Sequence, residues 1–331
     1  GGTTTPSVAV SGCTGNGSFT ITVAAAQSAD AAGNADAGAG PSSSVTVDNT
    51  LPTVSFTSTP VINIANASNY TVAGACSENG RTVTVSVGGT VNATPTCTAN
   101  AFTASGLDVS GLGDNPALSI TANHTDAAGN NATQASTTVV KDTVRPSVSI
   151  GAPSSSLINS SGSATFTLTY EVAPSPNLVS GDITVNGSGG VTCSTVNVTG
   201  GGTTTPSVAV SGCTGNGSFT ITVAAAQSAD AAGNTDAGAG PSSSVSVDNT
   251  APTVAFTSTP AISSSNATSY VVSGTCSENG RTVSVTVGGT VNNSPTCSGG
   301  NFTTASMNVS GIADGGSVSV AASHSDAAGN T

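Results

Sequence analysis

The chain has 331 residues, of which only 6% are charged and 3% are aromatic, and it contains 41 glycines and no tryptophan. The formal net charge of −12, from 16 acidic and 4 basic residues, disfavours a nucleic-acid partner because phosphate binding depends on Lys and Arg; metal cations are better candidates. No apolar run approaches the roughly 20 residues that a membrane span needs, so none is predicted.

A repeat of 200 residues organises the chain. Residues 1–50 return at 201–250 with two changes, Thr235 for Ala35 and Ser246 for Thr46, and the match continues to residue 331. Related linkers rich in Asp, Asn and Pro, which favour turns between strands, lie at 47–52, 141–146 and 247–252. We predict four pieces of a longer array: the end of a first-type unit (1–49), a second-type unit (50–143), a first-type unit (144–249) and a second-type unit without its last strand (250–331).

Strand patterns dominate both kinds of unit. Residues 82–87, 165–170 and 219–223 alternate Val, Ile, Leu or Phe with Thr or Ser, which places the apolar side chains on one face of a strand. About seven such runs per unit, separated by Gly, Asn and Ser clusters, predict an all-β fold of two-sheet sandwiches. The TGNGS segments at 14–18 and 214–218 predict tight hairpin turns.

Three segments resemble a known family of repeats. VSGTCSENGRTVSVTVGGT (272–290), SDAAGNT (325–331) and VDNTAPTVAFTS (247–258) are similar to bacterial immunoglobulin-like (Big-type) tandem repeats of large surface and secreted adhesins. The first-type unit, with GDITVNGSGGVT (181–192) and ITVAAAQSADAAGN (221–234), resembles a sister repeat of the same proteins. The resemblance implies immunoglobulin-like sandwiches in a linear array, located outside the cell or on its surface.

The cysteines depart from that family, whose repeats usually lack them. Six of the seven form one candidate pair per unit, about twenty residues apart: Cys76 with Cys97, Cys193 with Cys213, and Cys276 with Cys297. Cys13 corresponds to Cys213, so its partner is expected to precede residue 1. A zinc site and a catalytic thiol are disfavoured because no Cys/His cluster and no basic surroundings occur, so we predict disulfides and an oxidising compartment.

Acidic residues recur at the junctions between units. In an immunoglobulin-type sandwich the entry linker and two of the loops meet at one end, and each of these places carries a carboxylate. The three sets are Asp48, Glu78 and Asp126; Asp142, Glu171 and Asp230; and Asp248, Glu278 and Asp326. Two interpretations stay open: Ca²⁺ bound between units, with Asn49, Asn130 and Asn249 completing its shell, or turn chemistry with salt bridges to Arg81, Arg145 and Arg281.

No enzyme is predicted, because no nucleophile turn of the G-x-S-x-G type with supporting Asp and His can be assembled. His124 and His324 are expected at the surface or at strand ends. The leading prediction is a structural segment of an adhesin or fibre that contacts neighbouring repeats and neighbouring fibres, with the receptor unspecified. The alternatives are a filament or sheath subunit that polymerises by strand exchange and, less favoured, a carbohydrate-binding module, since Phe and Tyr number only ten.

Overall fold

The computed structural model describes residues 4–331, and they form an almost entirely β protein with largely antiparallel sheets. This confirms the predicted all-β sandwich class. The chain divides into two compact units, one reaching to Val144 and including Ala231–Asn234, the other comprising Arg145–Asp230 and Thr235–Thr331. Three separate hydrophobic cores lie within residues 62–139, 158–247 and 270–309.

Residues 4–49 contain one two-stranded antiparallel sheet. Its strands are β1 (Gly17–Phe19) and β2 (Val45–Val47), and Ser18 lies opposite Thr46. Apolar side chains around this sheet, such as Val8 and Val45, are exposed.

Residues 50–143 form a sandwich of a three-stranded and a four-stranded sheet. The strands are β3 (Val54–Ser58), β4 (Tyr70–Cys76), β5 (Val83–Val87), β6 (Val91–Ala93), β7 (Ala101–Leu107), β8 (Asn115–His124) and β9 (Ala135–Lys141). The sheet orders are β3-β4-β7 and β6-β5-β8-β9. Strict alternation in β5 buries Val83, Val85 and Val87 between the sheets and turns Thr84 outward, as its sequence predicts.

Residues 144–249 form a sandwich of two four-stranded sheets. The elements are β10 (Val148–Pro153), β11 (Leu157–Ile158), β12 (Ser163–Tyr170), a 3₁₀ helix (Ser180–Asp182), β13 (Ile183–Ser188), β14 (Thr192–Thr199), β15 (Ser207–Thr214), β16 (Gly217–Val223) and β17 (Val245–Val247). The sheet orders are β10-β12-β15-β14 and β11-β17-β16-β13. Phe166 and Phe219 meet edge to face between the two sheets, with their ring centroids 6.4 Å apart.

Residues 250–331 form two three-stranded sheets. The strands are β18 (Val254–Ser258), β19 (Ser273–Cys276), β20 (Val283–Val287), β21 (Val291–Asn293), β22 (Asn301–Thr303) and β23 (Val320–His324). The orders are β18-β19-β22 and β21-β20-β23. This pattern repeats that of residues 50–143, except that no strand in the described part of 250–331 corresponds to β9.

The predicted hairpin at TGNGS is wrong for the copy at 214–218. β15 pairs with β12 and β14, whereas β16 pairs with β13 and β17, so the segment carries the chain from one sheet to the other. Gly215 has a φ of +81°, which gives the tight turn that this change of sheet needs. The side chain of Asn216 is held by the linker, because its Oδ1 accepts the Asn249 N–H at 2.6 Å.

A glycine in the middle of β4 permits close aromatic packing. Phe56 and Phe102, on the strands flanking β4, meet edge to face at 6.3 Å. A Cβ at Gly74 would lie 2.3 Å from the Phe102 ring and 2.2 Å from the Ser55 carbonyl oxygen. Only glycine therefore fits below this aromatic pair.

Candidate functional site

Three disulfides lie at the predicted pairs, one in each of the three sandwiches: Cys76–Cys97, Cys193–Cys213 and Cys276–Cys297. Cys76 ends β4 in one sheet, while Cys97 follows β6 of the other, so this bond staples the sandwich across its core. Cys193 and Cys213 face each other on the neighbouring strands β14 and β15. Cys13 is an exposed free thiol.

The DAAGN loop is a compact hydrogen-bonded turn built on its aspartate. Asp126 Oδ1 accepts the backbone N–H groups of Ala128 and Asn130 at 2.9 and 2.8 Å, and its Oδ2 accepts Asn130 Nδ2 at 2.7 Å. Asp326 and Asn330 make the same carboxylate contacts at 2.9 and 2.7 Å. Because the donors are four residues or fewer away, local sequence is sufficient to form this turn.

These bonds lower the pKa of the loop carboxyls. Hydrogen bonds from Asn130 hold the pKa of Asp126 below its ordinary value of 3.8. For Asp326 burial is the largest single influence and raises the pKa, but the hydrogen bonds from Asn330 and the neighbouring N–H groups together lower it below 3.8. The charged form therefore accepts the loop's donors at neutral pH.

In the DAAGN loops at 126–130, 230–234 and 326–330 the asparagine also binds the linker, in what we call the linker clamp. Asn130 Nδ2 donates to the Asp48 carbonyl oxygen at 2.9 Å, and Asn330 Nδ2 donates to the Asp248 carbonyl oxygen at 2.8 Å. Asn234 Nδ2 makes the corresponding bond to the Asp142 carbonyl oxygen at 3.0 Å. One side chain thus ties the last loop to the entry linker in all three places.

At the clamp of Asn234, residues 63–64 make further hydrogen bonds to the DAAGN loop. Asn63 Nδ2 donates to the Ala232 carbonyl oxygen at 2.8 Å, and the Ile64 N–H donates to Asn234 Oδ1 at 2.8 Å. The buried amide of Asn234 therefore binds the linker through its nitrogen and the Ile64 N–H through its oxygen. These contacts lie within the first compact unit, to which Ala231–Asn234 belong.

Several of the other predicted carboxylates accept hydrogen bonds from nearby N–H and hydroxyl groups. The linker aspartates each accept the N–H two residues on: Asp48 from Thr50 at 2.9 Å, Asp142 from Val144 at 3.0 Å and Asp248 from Thr250 at 2.9 Å. Glu171 accepts the N–H and hydroxyl of Ser147 at 3.0 and 3.1 Å, and Glu78 accepts the Ser77 hydroxyl at 3.2 Å. Asp230 lies in the loop after β16, and Glu278 in the loop after β19.

The structure does not gather these carboxylates. Within residues 4–331, no three His, Cys, Asp or Glu side chains come close enough to hold a metal ion. Seven of the nine expected carboxylates accept N–H or hydroxyl donors instead: Asp48, Glu78, Asp126, Asp142, Glu171, Asp248 and Asp326. Calcium binding stays a prediction that a titration must test.

Two of the arginines bind main-chain oxygens at these loops. The Arg81 guanidinium donates to the Asp126 carbonyl oxygen at 2.7 Å, and Arg145 donates to the Thr235 carbonyl oxygen at 2.7 Å. An ion pair occurs elsewhere, where Lys141 Nζ meets Asp114 Oδ1 at 3.0 Å. The aspartates therefore form the hydrogen-bonded turns that the second interpretation expects. Arg81 and Arg145, however, donate to carbonyl oxygens of the main chain.

His124 lies at the end of β8, as expected, but it is buried rather than at the surface. Its Nδ1 lies 3.1 Å from the Thr82 carbonyl oxygen, and its Nε2 accepts the Glu78 N–H at 3.2 Å. Since a carbonyl only accepts, the ring proton is on Nδ1. His324 makes the equivalent contacts at 3.1 Å each, so both histidines anchor the SENG loop.

Sequence reasoning missed the roles of Asn63, Asn234 and the histidines. The available signal was the asparagine that ends every DAAGN segment, at 34, 130, 234 and 330. None of the ten Phe and Tyr side chains, all within the described residues, is exposed. In the same range no helix is long and apolar enough to cross a membrane.

No protein-family model matches the chain, and no curated protein matches it significantly. The chain is similar to the solved tetra-tandem repeat in the extending region of a large adhesion protein, at 22% identity over 85% of this chain and 71% of that one, with a TM-score of 0.28. It is also similar to the Escherichia coli adhesin FdeC, at 15% identity over 78% of this chain and 88% of that one, with a TM-score of 0.30. Fibronectin(III)-like modules of Clostridium thermocellum CbhA are 16% identical over 59% of this chain and 93% of theirs, with a TM-score of 0.28. TM-scores this low carry no argument about function, which rests on the chain's own residues.

Proposed function

We propose that the chain is a non-enzymatic structural segment of a large bacterial cell-surface or secreted adhesin, in which disulfide-stapled sandwiches follow one another as a stalk. Near-identical copies suit a spacer, because each repeat contacts mainly its neighbours and length grows by duplication. The aromatic side chains, of which seven are buried and three are partly buried, agree with this role, since a sugar platform needs exposed aromatic faces.

The linker clamp is the observation that supports the proposal best. The same amide-to-carbonyl bond forms at Asn130, Asn234 and Asn330, at 2.9, 3.0 and 2.8 Å. Each bond restrains the linker against the loop of the repeat that it enters. A stalk needs this kind of restraint at every linker. An enzyme or a single binding module does not need the same bond repeated at successive linkers.

Small-angle X-ray scattering of the full chain tests the proposal. The reference is the wild type, and the test variant carries Asn130→Ala, Asn234→Ala and Asn330→Ala. Each lost bond is worth about 1 kcal/mol, so the variant should sample more linker conformations and show a broader distance distribution. Circular dichroism checks that the sandwiches themselves are intact.

Asn186→Ala is the matched control, because Asn186 is exposed on β13, away from the clamps. It should scatter like the wild type. If the clamp variant scatters like both the wild type and Asn186→Ala, the clamps do not stiffen the linkers. A wild type that scatters as a flexible string of beads would count against the stalk itself.

Calcium at the junctions is a separate proposal. It predicts heat of binding when Ca²⁺ is titrated into the full chain and a narrower distance distribution than with chelator. Absence of both effects would leave the hydrogen-bonded clamps as the restraint at these linkers.

A filament subunit that polymerises by strand exchange is the second candidate function. It stays a prediction from the sequence alone. A carbohydrate-binding module stays the least favoured prediction, which a glycan array probed with the full chain would test.

A further inference from the structure

Residues 61–66 form a turn whose shape is held by its own asparagines, and we call it the docking turn. Asn66 Oδ1 accepts the Asn63 N–H at 2.9 Å, and Asn66 Nδ2 donates to the Val61 carbonyl oxygen at 2.8 Å. Asn63 Oδ1 in turn accepts the N–H two residues on at 3.0 Å. These bonds do not use the Asn63 Nδ2 group or the backbone N–H of the next residue, so both donors serve other partners.

Both donors meet acceptors in the DAAGN loop at 230–234. Asn63 Nδ2 donates to the Ala232 carbonyl oxygen and the Ile64 N–H donates to Asn234 Oδ1, each at 2.8 Å. Asn234 is only 3% exposed, so its oxygen is an acceptor shielded from water. The docking turn and this loop belong to consecutive repeats, and the two bonds therefore join one repeat to the next.

An asparagine lies against the same position of a DAAGN loop in a second place. Asn159 directly follows β11, and a Cβ built on Gly329 would lie 3.5 Å from its Nδ2. In the same way a Cβ built on Gly233 would lie 3.4 Å from Asn63 Nδ2. The two glycines occupy the same position of the DAAGN segment. The placement of the asparagine beside the loop of the following repeat thus recurs in both kinds of sandwich.

The copy of the docking turn at 261–266 shows that its shape does not require Asn63. Ser263 stands at this position, and its N–H donates to Asn266 Oδ1 at 2.8 Å. Asn266 Nδ2 donates to the Ala261 carbonyl oxygen at 2.9 Å. The same two bonds as in the docking turn therefore form around a serine. The Asn63 side chain adds an N–H donor that serine lacks, and this donor is the one that reaches the next repeat.

We propose that Asn63 is a recognition residue through which one repeat binds the DAAGN loop of the repeat that follows. Together with the Ile64 N–H it presents two donors at a fixed spacing to two acceptors, a backbone carbonyl and an asparagine oxygen. Serine at this position keeps the turn and removes the side-chain donor, so the two second-type repeats differ in the strength with which they hold a following repeat. The inference deepens the proposed stalk and rests on it for its purpose.

Native-state hydrogen exchange on the full chain tests this assignment with the variant Asn63→Ser. The Ile64 amide should exchange about fivefold faster, which is the effect of losing one typical hydrogen bond. The Ala67 amide donates to the carbonyl oxygen of residue 63 at 2.9 Å, and it reports on the turn itself. Its exchange should not change. Asn69→Ser is the matched control, because Asn69 is exposed and lies outside the docking turn, and it should leave both amides unchanged.

The variant Asn63→Asp separates recognition from a purely local role. Aspartate has the shape of asparagine and still accepts the Ala65 N–H, so a residue that only supports the turn tolerates this change. Recognition does not tolerate it, because the change places a carboxylate oxygen against the Ala232 carbonyl oxygen. Exchange of the Ile64 amide should therefore be more than about tenfold faster than in the wild type. The Ala67 amide should again stay unchanged.

Two results would overturn the proposal. One is an Ile64 amide whose exchange is the same in Asn63→Asp as in the wild type. The other is equal acceleration of the Ile64 and Ala67 amides in Asn63→Ser, which would assign the residue to the turn alone. If scattering contradicts the stalk while the Ile64 amide responds as expected, only the proposed function fails. If the stalk scatters as expected and the Ile64 amide does not respond, only the recognition by Asn63 fails.

Discussion

Removing the disulfide Cys76–Cys97 should destabilise one sandwich and spare its copy. The substitutions are Cys76→Ala and Cys97→Ala, and the bond closes a loop with a sequence separation of 21 residues. In the chain-entropy model this cross-link is worth about 3 kcal/mol, an upper value if the unfolded chain keeps structure. The bond also joins the two sheets, so its loss acts on the whole sandwich.

Native-state hydrogen exchange is the suitable assay, because several sandwiches in one chain unfold in more than one step. The opening free energy of the Val83–Val87 amides should fall by about 3 kcal/mol, which is roughly a 100-fold faster exchange. The copy Val283–Val287, behind Cys276–Cys297, is the matched control and should not change. Unchanged exchange at Val83–Val87, or equal acceleration in both copies, would refute the reasoning.

Three further outcomes are expected. Gly74→Ala should lower the melting temperature, since its Cβ would come within 2.3 Å of the Phe102 ring, and an overpacked core costs about 1–3 kcal/mol; an unchanged transition in calorimetry would contradict this. The pKa of Asp126 is lowered in the folded protein, so its loop should be fully protected from hydrogen exchange at neutral pH. This protection should be lost as the pH falls below 3.8 and through the pKa of the folded state. The variant Asp126→Asn should show no such pH dependence of exchange. Lys141→Ala should cost about 1.5–3 kcal/mol, because it removes the charged hydrogen bond to Asp114 while the Thr143 hydroxyl still donates to that carboxylate. Native-state hydrogen exchange at β8 would measure this cost, and a neutral result would show that water replaces the lysine.

Much of the fold was accessible from the sequence because alternation fixes which side chains face the core. β5, β12 and β16 occur where the pattern predicts them. The disulfide pairs followed from one cysteine pair per repeat. The junctions were harder, because an acidic residue in a loop is compatible with a metal, an arginine or a backbone amide.

The DAAGN segments and the strand β15 separate local from tertiary effects. Asp30 and Asn34 make the same loop bonds as Asp126 and Asn130, with Asn34 Nδ2 2.9 Å from Asp30 Oδ2, although their surroundings differ. In contrast, residues 207–214 become β15 through pairing with β12 and β14, so tertiary packing decides this strand.

The sequence by itself determined the loop turns and the apolar alternation, since both depend on residues at most a few positions apart. The tertiary structure decided which segments become strands, which sheet each strand joins and which carbonyl each clamp asparagine binds. The Asn130–Asp48 and Asn234–Asp142 bonds span 82 and 92 residues. Such pairs form only when packing of the sandwich brings together donors and acceptors that are far apart in the sequence. The residues next to each asparagine therefore do not show which carbonyl group it binds.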